Sequence, residues 1–84
     1  LALIDVTVYT PNAPCTQCTT TKMRLKKKNI PFNTEIADDA TIDRYRDEGH
    51  ASFPIVRVEF GDRDPLVWSG FRLTEIDRLA DLIG

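Results

Sequence analysis

The chain has two cysteines, Cys15 and Cys18, and they stand where a strand gives way to a helix. Ahead of them, Leu3 to Tyr9 is dominated by β-branched and apolar residues, with Ile4, Val6 and Val8 sharing one face of a two-residue period. That pattern predicts a buried strand. Thr10-Pro11-Asn12-Ala13-Pro14 cannot extend it, because two prolines and an asparagine break regular structure. Thr16 to Asn29 then reads as a helix that Cys15 opens and that Asn29 and Pro31 end. Its apolar face is thin, with Cys18 and Leu25 one above the other and Met23 to the side.

The remainder follows the same punctuation. Phe32 to Ile36 is a short second strand, and Asp38 or Asp39 caps a second helix that turns Ile42 and Tyr45 inward and ends at Gly49. Pro54 to Phe60 alternates as a strand. Gly61-Asp62-Arg63-Asp64 makes a turn, and Pro65 to Trp68 starts the returning strand of a hairpin. Leu73, Ile76, Leu79, Ala80 and Ile83 recur at helical spacing before Gly84 closes the chain. The predicted order is β-α-β-α-β-β-α, an α/β fold. Its first two strands are parallel, and the hairpin adds two antiparallel strands. The simplest packing is a four-stranded mixed sheet with helices on both faces, three in all.

Length and charge narrow the function. Residues 1–84 make one domain, whose core buries only ~60–65% of the surface an unfolded chain exposes. A large walled cavity is therefore excluded. The formal charge of −2 argues against non-specific nucleic-acid binding. The apolar runs are too short to span a membrane, and the alternating start does not resemble a secretory signal.

Three readings compete for the cysteine pair. As a staple, a bridge over so few residues contributes only ~2 kcal/mol, and folds this small that rely on staples carry several. A zinc site needs two further ligands, and only His50 and carboxylates are on offer. A cycling dithiol needs neither. The first turn of a helix offers unpaired N–H groups and the positive end of the dipole, both of which favour a thiolate on Cys15. Cys18, three residues on, lies within bonding reach as the more buried, resolving thiol. Cys15 would attack a substrate disulfide, and Cys18 would then release the product and leave a Cys15–Cys18 bridge. No cofactor or metal beyond that disulfide is expected. Phe53-Pro54 is a loop-to-strand boundary in the plain reading. Beside a dithiol in this strand order it is expected to be cis, leaving the Phe53 backbone free to pair with an extended substrate.

The sequence resembles the thioredoxin superfamily, and within it the NrdH-type glutaredoxin-like redoxins, over nearly its whole length. The resemblance rests on Val8-Tyr9-Thr10 leading into Cys15-Thr16-Gln17-Cys18, on Pro54, and on Trp68-Ser69-Gly70-Phe71-Arg72 before the last helix. It implies a thioredoxin/glutaredoxin-like fold. It also implies a cytoplasmic, monomeric electron donor that thioredoxin reductase reduces and that passes electrons to class Ib ribonucleotide reductase. The chain departs from these redoxins in three places. Four residues separate Thr10 from Cys15 where three are common, Leu73-Thr74 replaces a Pro-Asp pair after Arg72, and no basic residue precedes Cys15. Glutaredoxins usually carry Pro-Tyr between the cysteines, then a Gly-Gly pair and an Asp pair. Here Thr16-Gln17 stands there, Gly70 is alone beside Phe71, and no Asp pair follows, so weak glutathione binding is expected.

Several residues carry a plain reading beside a functional one. Trp68 is either core packing or, with Phe71, part of an exposed aromatic patch that docks a partner. A non-catalytic binding module built on that patch is the alternative to an oxidoreductase. Thr10 is a turn residue or a hydrogen-bond donor near the sulfurs. Lys22, Arg24, Lys26, Lys27 and Lys28 crowd the first helix, while Glu35 to Asp64 holds nine acids and four bases. These charges are a solvated surface or a means of steering an acidic partner. His50 is expected in an exposed loop.

Overall fold

The computed structural model describes residues 4–61 and 64–83. Leu3, Asp62, Arg63 and Gly84 of the predicted elements lie outside the described residues. The order is β1 (Ile4–Thr10), α1 (Thr16–Lys27), β2 (Asn33–Ile36), α2 (Asp39–Asp47), β3 (Ile55–Phe60), β4 (Leu66–Ser69) and α3 (Leu73–Ile83). This is the predicted β-α-β-α-β-β-α sequence. The strands form one mixed sheet in the order β2-β1-β3-β4. β1 and β2 run parallel, with Thr7 opposite Asn33 and Thr10 opposite Ile36. β3 is antiparallel to both β1 and β4.

The two-residue strand period sorts side chains onto two faces, and each face is covered differently. Val6 and Val8 lie opposite Val58 and Val56, and Val56 lies opposite Trp68. These residues form one buried cluster with Leu25 of α1, with Ile30, and with Ile76 and Leu79 of α3. The other face carries Tyr9 and Arg57. The ring of Tyr45 in α2 sits 5.6 Å from that of Tyr9, and Arg57 Nη1 donates to Tyr45 Oη at 3.3 Å. Thus α1 and α3 pack on one face and α2 on the other.

Local chemistry sets the helix ends. Asp38 is the cap of α2, its Oδ1 accepting the Thr41 N–H at 2.8 Å. Both α1 and α2 finish in a left-handed residue, Asn29 at φ 60° and Gly49 at φ 94°. In each, the next N–H reaches back five residues, from Ile30 to the Leu25 carbonyl at 2.9 Å and from His50 to the Tyr45 carbonyl at 2.8 Å. This closing turn satisfies last-turn carbonyls and reverses the chain toward the next strand. It also shortens α1, which stops at Lys27 rather than running to Asn29.

The core departs from expectation at three points. Thr21, a polar residue, completes the buried stripe of α1 between Cys18 and Leu25. Leu73 is 41% exposed, because the first residue of α3 lies beyond the sheet that Ile76 and Leu79 cover. β2 begins at Asn33, not Phe32, and all four of its residues are exposed at the sheet edge.

Leu79→Ala should cost about 3 kcal/mol in urea unfolding, whereas Leu73→Ala should stay within about 0.5 kcal/mol of wild type. The Asp38 carboxyl is held below its ordinary 3.8 by hydrogen bonds from Thr41. A lowered folded-state pKa gives a contribution that is complete above the unfolded value and lost as pH falls through the folded one. Asp38→Ala should therefore lower the thermal midpoint at pH 7, and the gap to wild type should close in strong acid.

Candidate active site

Cys15 occupies the cap position of α1, with extended backbone angles (φ −144°, ψ 103°). Its Sγ accepts the Cys18 N–H at 3.1 Å, and its carbonyl accepts the Thr19 N–H at 3.2 Å. The sulfur thus takes the role that a serine or aspartate oxygen plays at most helix starts. The first turn of α1 contains no acidic residue to oppose negative charge there. Cys18, one turn on, is 2% exposed, whereas Cys15 is half-buried. The two are joined as a disulfide across a Cα separation of 5.2 Å, inside the range such bridges span. On reduction, Cys15 would be left with an N–H and a helix terminus aimed at its sulfur and with access to solvent.

Two further segments are tied to this helix start. The Phe53-Pro54 bond is cis, as expected, and the Pro54 carbonyl accepts the Gly70 N–H at 2.8 Å. The next amide, Phe71 N–H, donates to Gln17 Oε1 at 3.3 Å. Gln17, exposed between the cysteines, therefore links the dithiol turn to the Trp68–Arg72 segment. Gly70 suits that link because of its backbone conformation. Its φ is +76°, and a Cβ there would meet Gln17 Oε1 at 3.4 Å. Thr16 is exposed in the same turn, and its carbonyl accepts the Thr20 hydroxyl at 3.0 Å. The Ser69 carbonyl accepts Arg72 Nε at 3.1 Å.

Some predicted neighbours of the sulfurs do other things. Thr10 is buried at the end of β1, where its hydroxyl donates to the Glu35 carbonyl at 3.5 Å and so tightens the β1–β2 pair. It is neither a turn residue nor a partner of the sulfurs. Trp68 is 4% exposed and belongs to the core cluster, because its position opposite Val56 turns the indole inward. Of the two readings of Trp68, core packing holds and the exposed aromatic patch does not, leaving Phe71, at 38% exposure, as the exposed aromatic residue there. His50 is half-buried rather than an exposed loop residue. Its Nδ1 lies 3.3 Å from Ser69 Oγ, and its ring meets the Tyr45 ring edge-on. Only its place just after Gly49, where the closing turn of α2 swings the chain inward, hinted at this. No cluster able to hold a metal ion occurs among the described residues.

A dithiol at a helix start, on a four-stranded mixed sheet flanked by three helices, defines a glutaredoxin-like redox protein with a disulfide-capable Cys-x-x-Cys pair. No family model matches the chain, and no curated protein sequence does. Solved structures do match. The glutaredoxin-like protein NrdH-redoxin from Escherichia coli, described as having a thioredoxin-like activity profile, is 34% identical. That alignment covers 89% of this chain and 93% of that one, with a TM-score of 0.72. Glutaredoxin 1 from Francisella tularensis, solved with cacodylate, is 26% identical over 96% of each chain, with a TM-score of 0.54. The chain belongs to the NrdH-redoxin family of glutaredoxin-like proteins. No helix among the described residues is long and apolar enough to cross a membrane.

In the reduced protein, brief iodoacetamide treatment followed by peptide mass mapping should label Cys15 at least tenfold faster than Cys18, given their difference in access (order of magnitude). Preferential labelling of Cys18 would reverse the roles assigned to the two sulfurs.

Proposed function

We propose that this protein is a dithiol–disulfide oxidoreductase that donates electrons to class Ib ribonucleotide reductase and is re-reduced by thioredoxin reductase. The observation that carries the proposal is the asymmetry of the pair. A half-buried Cys15 accepts a helix N–H, and a buried Cys18 lies one turn behind it. Cys15 is the attacking thiolate. It forms a bond to one sulfur of the substrate disulfide, and the other sulfur leaves as a thiolate that takes a proton from solvent. Cys18 then loses its proton to solvent and attacks Cys15 Sγ. The mixed disulfide breaks, the second substrate thiol departs, and the Cys15–Cys18 bridge closes. Two electrons have moved to the substrate. The reductase returns them by the reverse exchange, drawing on NADPH.

The choice of reductase follows from two supports. The Escherichia coli relative is described by a thioredoxin-like activity profile. Phe71 also stands beside Gly70 where a glutathione cradle would have a second glycine, and its amide is already held by Gln17 Oε1. Thr16, Phe53, Ser69 and Arg72 flank the sulfurs in this reading and meet the partner's backbone, with Phe71 as the apolar contact. The protein works as a monomer in the cytoplasm, a compartment that keeps the thiols of an electron donor reduced. It uses no cofactor beyond its own disulfide, and nucleic acid is not a partner.

Insulin reduction with NADPH and thioredoxin reductase should proceed at rates typical of a turning-over enzyme, about 1 per second or faster. Substituting glutathione and its reductase should give a rate lower by roughly tenfold or more. Cys15→Ser should abolish turnover, and Cys18→Ser should accumulate a mixed disulfide with substrate. Turnover with glutathione alone would identify a true glutaredoxin, to which the Francisella tularensis structure is the pertinent neighbour. Full activity of Cys18→Ser would exclude the dithiol mechanism.

A further inference from the structure

A groove of about 370 Å³ runs between α1 and the start of α3, lined by Thr20, Met23, Arg24, Lys27, Phe71 and Leu73. Five large hydrophobic side chains stand exposed among the described residues, and three of them, Met23 (66%), Phe71 and Leu73, line this groove. The apolar surface that the core leaves uncovered is therefore concentrated in one place rather than scattered. The walls are cationic. Arg24 and Lys27 form no ion pair among the described residues, and Arg24 Nε is covered with no hydrogen-bond partner. Lys28, by contrast, meets Asp77 at 3.4 Å. Lys22 and Lys26 add to the charge of a helix with no acidic residue between Thr16 and Lys27. The chain as a whole is at −2, so an acidic ligand is drawn to this helix and repelled by the segment from Glu35 to Asp64. Phe71, which lines the groove, is also hydrogen-bonded through its backbone amide to Gln17 between the two cysteines.

Building on the oxidoreductase reading above, we propose that this groove receives an extended, acidic segment of the protein whose disulfide is reduced, anchored by an apolar side chain. Arg24 and Lys27 lie nine and twelve residues from Cys15, or roughly 14 and 18 Å along the helix axis. An extended chain covers that distance in roughly four to five residues. The recognised segment therefore carries its carboxylates about four to five residues from the reacting cysteine, with a hydrophobic residue between that packs on Met23, Phe71 and Leu73. The groove selects among disulfides that the sulfurs alone treat alike. It also works by charge reading in a way that salt weakens.

The test uses two synthetic disulfide peptides of equal length, each with one leucine between the cysteine and a charged pair four to five residues away. One peptide carries glutamates and the other lysines. Single-turnover reduction is followed with the chemically reduced, desalted protein. The glutamate peptide should react roughly tenfold faster at low ionic strength, and the advantage should shrink at high salt. The paired change Arg24→Glu and Lys27→Glu should invert the order, making the lysine peptide the faster one. A gain of rate cannot come from misfolding. Equal rates with wild type, or a faster lysine peptide, would overturn the groove's assignment and leave the oxidoreductase reading standing. Failure of both peptides to react would overturn both. Concentration-dependent self-association that the paired change abolishes would give the groove to a second copy of the chain instead.

Discussion

The hydrogen bond from the Cys18 amide to Cys15 Sγ is the interaction on which the rest depends. A helix start must satisfy its first N–H groups, and here a sulfur does so. One contact therefore serves two ends. It fixes where α1 begins, and it fixes the environment of the reactive atom. Charge on that sulfur gains from an aligned N–H and from the helix dipole without any base, metal or cavity. The sheet supplies the position: β1 ends at Thr10, and residues 11–14 carry the chain to the start of α1, which packs Leu25 back on the β1–β3–β4 core. The site is thus a by-product of how a short parallel β-α-β unit must turn.

The small size of the chain fits this arrangement. The main hydrophobic cluster lies on one face of the sheet, with Tyr45 and Arg57 bridging α2 to the other. What remains for function is surface around one half-buried sulfur. The Gly70 amide on the Pro54 carbonyl and the Phe71 amide on Gln17 hold three separate segments together there. Under the proposed function such a surface would be completed by the protein that docks on it, and the near-neutral total charge conceals the polarity that would orient the docking. Every charged residue of α1 is basic, and the middle of the chain is acidic.

Much of this was legible in the sequence, because the informative residues act locally. Val6 and Val8 at period two and Ile76 and Leu79 at helical spacing declare their buried faces. Prolines bracket the cysteine turn, and Asp38 and Gly49 mark the ends of α2. What escaped depended on pairings across the sheet. Trp68 is inside because it stands opposite Val56, a fact of register that no local pattern states. Thr21 is buried despite its hydroxyl because it falls between Cys18 and Leu25 on the inward stripe. Leu73 is outside despite fitting the helical period, because it begins α3 beyond the sheet. Thr10 and His50 found partners in Glu35 and Ser69, residues distant in sequence that only the assembled sheet and loops bring near.

The central claim is that the Cys15–Cys18 disulfide cycles rather than holds the fold together. Its reduction potential, measured by equilibration against thioredoxin or glutathione couples, tests this most directly. A value above about −300 mV, within reach of cellular dithiol reductants, is the predicted result. A bridge well below about −300 mV that resists every protein reductant would contradict it and make the disulfide a structural staple.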